Sequence, residues 1–190
     1  KSLIERTKKY SKKLNVIIAP AFRFKHLWEQ NTFKIDKDCF TILITLSQFQ
    51  DQTINMLKMV QQFAENSNIA NIRYLVKPHP SIEEKKIKKW WREKWPKNFI
   101  IIEGDFSEIL LKSNLLISGM SSVCLETIAM GVPLIIIENI SGLQFNSVPE
   151  KLSSDMLKKC HSSLDLEKSI NYFQSKGIDD VSKNNEMASN

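Results

Sequence analysis

From residue 40 onward the chain alternates short apolar runs with stretches in which apolar residues recur at helical spacing. Continuous apolar runs are typical of strands that are buried on both faces of a sheet, and β-branched residues favour that assignment. The runs therefore predict strands at FTILITLS (40–47), NIRYLVK (71–77), FIIIEG (99–104), LLISG (115–119) and VPLIII (132–137).

The segments that separate and follow these strands have the period of amphipathic helices. In the first of them, one stripe carries Ile54, Leu57, Met59, Val60 and Phe63. Capping residues support two others, with an aspartate before one helix and a glycine after the next. The predicted helices are INMLKMVQQFAE (54–65), IEEKKIKKWWREKW (82–95), DFSEILLKSN (105–114), SSVCLETIAMG (121–131) and SSLDLEKSINYFQSKG (162–177).

Regular alternation of strands and helices predicts an α/β fold with a doubly wound, Rossmann-like parallel sheet. We assign this domain to residues 39–177 and a polar tail to residues 178–190. Residues 1–38 are interpreted as a linker or as the remnant of an N-terminal domain, with one more strand predicted at VIIAP (16–20). Because the chain begins with Lys1 rather than methionine, we expect a fragment or a processed form of a longer protein.

The net charge of +6 is unevenly distributed along the chain. Two segments, 1–13 and 83–97, carry net charges of +5 and +4, and the remainder is net negative. Such segments suit anionic lipids or phosphorylated ligands, although a solvated helix face is the preferred explanation for each. No nucleic-acid-binding motif accompanies them, so no nucleic-acid partner is expected.

The remaining composition indicates a cytoplasmic protein without a metal site. Cys39, Cys124 and Cys160 are far apart and are interpreted as small apolar residues in a reducing compartment. The three histidines are scattered without zinc-ligand spacing. No secretory signal is evident, and no apolar run is long enough to cross a membrane.

The stretch LVKPHPS (75–81) ends the second predicted strand and carries Lys77 and His79. One interpretation is structural, because proline ends strands and restricts φ. The other is that the rigid turn presents a lysine and an imidazole to an anion. Ligands of doubly wound sheets bind outside the carboxyl ends of the strands, which is where this stretch is predicted to lie.

A second stretch, LISGMSSVCLETIAMG (116–131), follows another strand. Gly119 allows a tight turn, and Ser121 and Ser122 begin a helix whose unpaired N–H groups, together with the hydroxyls, could hold a phosphate. Simple N-capping by a serine is the alternative. Glu126 lies about one turn further along, where its carboxylate could accept two ribose hydroxyls or could face solvent.

The run GMSSVCLETIAMGVPLI, with the preceding KPHP, resembles the nucleotide-binding half of GT-B glycosyltransferases. The resemblance is to those that build bacterial surface polysaccharides, and it covers residues 40–175, the C-terminal half of such an enzyme. It implies that His79, Ser121 and Ser122 contact the donor phosphates, with Lys77 and Gly119 beside them. It further implies that Glu126 binds the ribose.

The same resemblance implies a nucleotide-sugar donor, a saccharide or glycolipid acceptor, and no cofactor. Fixed hydrogen-bond donors can stabilise the charge that develops on the leaving phosphate, so no divalent cation is expected. His79 is the candidate proton donor to the leaving group. Many retaining members carry a second glutamate near positions 118 and 119, and its absence leaves the stereochemistry open.

Two other functions remain open on the sequence. The Ser-Gly-Met at 118–120 followed by Glu126 also resembles UDP-GlcNAc 2-epimerases, although Met120 replaces their second glycine. A non-catalytic nucleotide-binding module is the other alternative. The basic segment 83–97 suggests peripheral contact with the inner face of an anionic membrane. Packing on the sheet is the preferred explanation for its tryptophans, Trp90, Trp91 and Trp95.

Overall fold

The computed structural model describes residues 33–67, 69, 71–138, 148 and 155–176. The predicted strand at 16–20 and the predicted tail at 178–190 lie outside these residues. At the first described positions, Phe33 packs against the domain and the Lys34 N–H donates to the Leu111 carbonyl at 2.9 Å.

A single parallel sheet of six strands forms the centre of the described chain, in the order β3-β2-β1-β4-β5-β6. Every neighbouring pair is parallel, so the predicted doubly wound, Rossmann-like α/β class is confirmed. The strands are β1 (Phe40–Thr45), β2 (Ile72–Lys77), β3 (Phe99–Ile101), β4 (Leu115–Ser118), β5 (Leu134–Ile137) and β6 (Leu157–Cys160).

The strand order creates a switch point between β1 and β4. The chain moves outward from β1 to β2 and β3, returns to β4 on the other side of β1, and then moves outward again through β5 and β6. At such a point the loops leaving the two central strands diverge, which opens a crevice at their carboxyl ends.

Helices cover both faces of the sheet, as the continuous apolar strands predict. Alternate residues of β1 point to opposite faces, with Ile42 and Ile44 in one core cluster and Leu43 in the other. The helices are α1 (Gln50–Asn66), α2 (Glu84–Trp91), α3 (Phe106–Leu110), α4 (Val123–Ala129) and α5 (Ser163–Lys176). The first cluster includes residues of α1, α2 and α5, and the second includes residues of α3 and α4.

Several predicted boundaries differ from the observed ones. Helix α1 begins at Gln50 rather than Ile54, whereas β3 ends at Ile101 and is shorter than its apolar run. Helix α2 ends at Trp91 rather than Trp95, because Arg92 adopts a left-handed conformation with φ of 58°. Strand β6 was not predicted.

Asp105 is the N-cap of α3, as predicted. Its Oδ1 accepts hydrogen bonds from the N–H groups of Ser107, at 2.8 Å, and Glu108, at 3.1 Å. These bonds satisfy two amides that the first turn of a helix leaves without intrahelical partners.

We expect Asp105→Ala to lower the free energy of unfolding by about 0.5–2 kcal/mol, because it removes both capping bonds. Urea denaturation followed by circular dichroism measures the change. Asp105→Asn, which keeps the accepting oxygen, is the control. An equal loss in both variants would contradict a capping role.

Candidate functional site

A cleft of about 880 Å³ opens at the carboxyl ends of β1, β2, β4 and β5. One wall is the turn after β2, a second is the turn between β4 and α4, and a third is the β1–α1 loop with the first turns of α1. The predicted residues that line this cleft are Lys77, His79, Gly119, Ser121 and Ser122. The structure therefore brings together two stretches that are about forty residues apart in the sequence.

Lys77 is the last residue of β2, and its ammonium group is anchored at one side of the cleft. Its Nζ donates to the Gly104 carbonyl at 2.6 Å, which ties the end of β2 to the turn before α3. An ammonium group has three N–H donors, so this bond leaves donors for a ligand. Lys77 thus has a structural contact and a position suitable for anion binding.

His79 is oriented by the turn that contains it. The Ser81 N–H donates to His79 Nδ1 at 3.2 Å, and the Ser81 hydroxyl lies 2.8 Å from the same nitrogen. Because Nδ1 accepts a hydrogen bond, the neutral imidazole carries its proton on Nε2. The proline-rich turn therefore orients the histidine as well as ending the strand.

Ser121 and Ser122 form the turn that precedes α4. The exposed Ser122 side chain caps no amide of the helix, so simple N-capping does not account for it. The backbone carbonyls accept from the Cys124 N–H, at 3.2 Å, and the Leu125 N–H, at 3.1 Å. Because α4 has only seven residues, the two hydroxyls are a stronger argument for an anion site than the helix dipole.

Gly119 does not need its conformational freedom at this turn. Its φ lies outside the left-handed region, and an added Cβ would make only an ordinary 3.8 Å contact with Met56 Cε. The turn therefore forms at this position without a left-handed glycine, and the phosphate-binding role of Gly119 stays a prediction. The missing side chain leaves space in the cleft that the residue lines.

Glu126 lies on α4 and is half-buried, but it is not among the residues that line the cleft. Its backbone carbonyl accepts from the Met130 N–H at 3.0 Å. Glu126 is therefore the one predicted site residue that does not line the cleft, and its ribose-binding role stays a prediction.

The β1–α1 loop forms a wall of the cleft that was not predicted from the sequence. Ser47 organises this wall: its hydroxyl donates to Gln52 Oε1 at 2.8 Å and accepts from the Phe49 N–H at 3.2 Å. Phe49 is 57% exposed at the edge of the cleft, which is uncommon for so large an apolar side chain. The available signal was a run of polar residues, Ser47-Gln48, between a buried strand and a helix.

Glu138 was also missed and lies at the carboxyl end of β5, on the lining of the cleft. Its carboxylate contacts Lys159 Nζ at 3.3 Å and His161 Nε2 at 2.8 Å, and its side chain is only 10% exposed. These contacts hold an acid at the β5–β6 side of the cleft, whereas Lys77 and His79 lie at the β2 side.

Cys124 lies beneath the β4–α4 turn and is fully buried. Its thiol donates to the Gly119 carbonyl at 3.4 Å, and burial raises its pKa. The thiol is thus kept protonated at neutral pH, as expected of a small apolar residue rather than a nucleophile. Cys160 is buried and its pKa is raised in the same way.

Within the described residues, no group of three or more histidine, cysteine, aspartate or glutamate side chains could hold a metal ion. Within the same residues, no helix has the length and apolar character needed to span a membrane.

No protein-family model matches the chain, and no curated protein matches it in sequence. Solved structures do match. A UDP-GlcNAc 2-epimerase from Neisseria meningitidis, bound to UDP-GlcNAc, aligns with a TM-score of 0.55 and 16% identity over 83% of this chain and 44% of its own. A Listeria monocytogenes protein assigned as a UDP-N-acetylglucosamine 2-epimerase gives a TM-score of 0.53 and 17% identity, over 92% and 43%.

A third similar structure, S. aureus MnaA with UDP, gives a TM-score of 0.52 and 12% identity, over 90% of this chain and 43% of its own. Glycosyltransferases, among them the wall teichoic acid polymerase TagF, align with TM-scores of 0.48 or below. The chain thus spans less than half the length of these neighbours. At such low identities the likeness establishes the fold alone, which is a Rossmann-like α/β domain.

Proposed function

We propose that this domain binds the donor nucleotide-sugar of a glycosyltransferase. The observation that carries the proposal is the convergence of Lys77, His79, Ser121 and Ser122 on one cleft at the switch point of the sheet. These side chains can all donate hydrogen bonds to an anion, and they come from two different strand–helix turns. A diphosphate lying between the turns would contact both.

In this proposal the phosphates lie between the β2 turn and the β4–α4 turn. Glycosyl transfer builds negative charge on the departing phosphate, and preorganised donors stabilise that charge. With Nδ1 accepting from the Ser81 N–H, the Nε2–H of His79 on the other side of the ring is the candidate hydrogen-bond donor to the leaving group. Proton transfer from His79 would require the imidazolium form, in which Nδ1 no longer accepts that bond. The same arrangement would need no divalent cation.

The nucleoside has apolar surface available on the same cleft. Phe106, Met120 and Val123 line it near the serine turn. A flat nucleobase would bury apolar area against these side chains while its phosphates met the polar turns. Glu126 remains the proposed ribose ligand, which requires the ribose to reach the outer part of α4.

The acceptor and the cellular location are proposed on the family resemblance and on surface charge. We infer an envelope polysaccharide or glycolipid acceptor and a cytoplasmic protein that touches the inner face of the membrane. Helix α2 exposes Lys85, Lys86, Lys88 and Lys89, which would favour an anionic surface. Absence of co-sedimentation with anionic vesicles at low salt would remove the membrane contact from the proposal.

A UDP-GlcNAc 2-epimerase-like enzyme is the second candidate. It is favoured by the three neighbours described above with TM-scores over 0.5: two are named as UDP-GlcNAc 2-epimerases, and the third is a complex with UDP. Such an enzyme would interconvert free nucleotide sugars without an acceptor. A non-catalytic nucleotide-binding module would bind the nucleotide and turn nothing over.

Calorimetric titration of the chain with CMP, CDP, UDP and GDP, with EDTA and then with Mg²⁺, tests the proposal. We expect selective binding of one nucleoside diphosphate, with an affinity independent of Mg²⁺. Absence of binding by all four would contradict a donor site in this domain. Incubation with the matching nucleotide-sugar then separates the candidates, because only an epimerase converts it without an acceptor.

A further inference from the structure

Three hydroxyl groups form a continuous chain beneath the proposed phosphate site. Thr45, the last residue of β1, donates from Oγ1 to Ser118 Oγ at 2.8 Å. Ser118, the last residue of β4, lies with its Oγ 3.3 Å from Ser121 Oγ. Thr45 and Ser118 are direct register partners in the two central strands. The chain therefore links both sides of the switch point to the serine turn.

Ser118 is part of the cleft lining, but with 1% of its surface exposed it offers almost no surface to a ligand. The other residues of β4 are Leu115, Leu116 and Ile117, and all are fully buried. A buried hydroxyl is costly unless it is hydrogen-bonded, and packing alone would be served by an apolar residue. The serine at this position thus needs a reason other than filling the core.

The hydrogen-bond chain supplies such a reason because the Thr45 bond biases its direction. A hydroxyl donates one hydrogen bond and accepts up to two. Either hydroxyl can donate in the Ser118–Ser121 contact, but once Ser118 accepts from Thr45 its own proton can go to Ser121, and in that arrangement the Ser121 proton is directed away from Ser118. A Ser121 hydroxyl whose orientation is already fixed loses less orientational entropy when a ligand binds.

We propose that Thr45 is a positioning residue for phosphate binding: through Ser118 it orients the Ser121 hydroxyl toward the ligand. This inference rests on the proposed function, because it needs a phosphate at the serine turn. It adds a residue of β1 that does not belong to the phosphate-contacting set, although its side chain lies at the base of the same cleft.

Thr45→Val keeps the shape of the side chain and removes its hydroxyl. We expect it to weaken UDP or CDP binding, whichever the chain prefers, by about 3- to 10-fold, the size of one neutral hydrogen bond. Thr45→Ser restores the hydroxyl and is expected to restore the affinity. Calorimetry measures binding, and thermal unfolding shows that each variant is folded.

A double-mutant cycle with Ser121→Ala distinguishes positioning from direct contact. If Thr45 acts through Ser121, Thr45→Val has no further effect once the Ser121 hydroxyl is gone. The inference would be overturned if Thr45→Val lowered the nucleotide affinity equally in the Ser121→Ala variant and in the unchanged chain, or if it caused no loss of affinity in the unchanged chain. Either result would leave the donor site intact. Failure of the unchanged chain to bind any nucleotide would instead overturn the proposed function and the inference with it.

Thr41→Val is the matched control on the same strand. Thr41 is 1% exposed, and its hydroxyl has no hydrogen-bond partner in the described part of the chain. Its backbone N–H, which donates to Asn114 Oδ1 at 2.8 Å, is unaffected by the substitution. We expect this variant to bind nucleotide as the unchanged chain does. A loss equal to that of Thr45→Val would point to a general effect on β1 and would count against the inference.

Discussion

Replacing both Ser121 and Ser122 with alanine is expected to weaken nucleoside diphosphate binding by about 100-fold. Hydrogen bonds to charged groups contribute about 1.5–3 kcal/mol each, so even the lower value for two hydroxyls corresponds to a loss of this size. The structure supports the choice, because Ser122 is exposed without a capping role and both residues line the cleft. Isothermal titration with UDP and CDP measures the change.

Ser175→Ala is the control for this variant. Ser175 is exposed on α5, and its hydroxyl donates to the Tyr172 carbonyl at 2.8 Å. Its replacement by alanine therefore also removes a serine hydroxyl, but from a helix outside the cleft lining. Thermal unfolding of each variant separates a binding defect from misfolding. Unchanged affinity in a folded double variant would move the phosphates away from the serine turn and leave Lys77 and His79 as the remaining anchors.

The largest expected effect on stability is that of Trp91→Ala, about 3–5 kcal/mol in the free energy of unfolding. Trp91 is 2% exposed and packs in the first core cluster beside α1. Its ring meets Trp95 edge to face at 6.1 Å, and its Nε1 donates to the Lys94 carbonyl at 3.3 Å. Truncation would leave a cavity among rigid neighbours. Urea denaturation monitored by circular dichroism measures the loss.

Trp90→Ala is the comparison at the adjacent position. Trp90 is half-buried, and Lys86 Nζ lies 5.3 Å from the centre of its ring. We expect this variant to lose only about 1 kcal/mol, since partly exposed residues have fewer contacts to lose. If Trp90→Ala lowered the free energy of unfolding as much as Trp91→Ala, burial would not be what determines the cost of truncating these tryptophans. The contacts of Trp91 and Trp95 agree with the prediction that these tryptophans pack on the sheet.

The strands that the sequence located most reliably are those buried on both faces. In β4 and β5, every residue is buried, and a continuous apolar run reveals such a strand directly. Strand β6 was missed for the opposite reason. Among the described strands it pairs with β5 alone, and its sequence, LKKC, contains two lysines, one of them exposed. An edge strand that is partly exposed to solvent lacks the continuous apolar run by which a buried strand is recognised in the sequence.

Boundaries were less predictable because distant contacts decide them. The helical pattern of 82–95 continues past Trp91, but the helix ends there with a left-handed Arg92. Trp95 is then used outside the helix, where its Nε1 donates to the Phe99 carbonyl at 2.8 Å and its ring packs against Phe99. The alternation of apolar residues does not encode such a contact with the following strand.

The candidate site was predictable only where its residues follow strands that were themselves predicted. Lys77, His79, Ser121 and Ser122 were found in this way, because the carboxyl ends of parallel strands share one edge of the sheet. Thr45 and Ser118 look like ordinary strand residues in the sequence. Their meaning comes from a pairing between residues 73 positions apart. Glu138 likewise depends on contacts with β6, a strand that the sequence did not reveal.

By itself, the sequence determined the α/β class, the identity of the five apolar strands and the two polar turns of the proposed donor site. These depend on local periodicity and on residue types that keep their chemistry in any context. Only the tertiary structure decided the strand order, the place of Glu126 outside the cleft and the hydroxyl chain beneath it. Those features depend on which distant segments pack together, and local periodicity carries no information about such pairings.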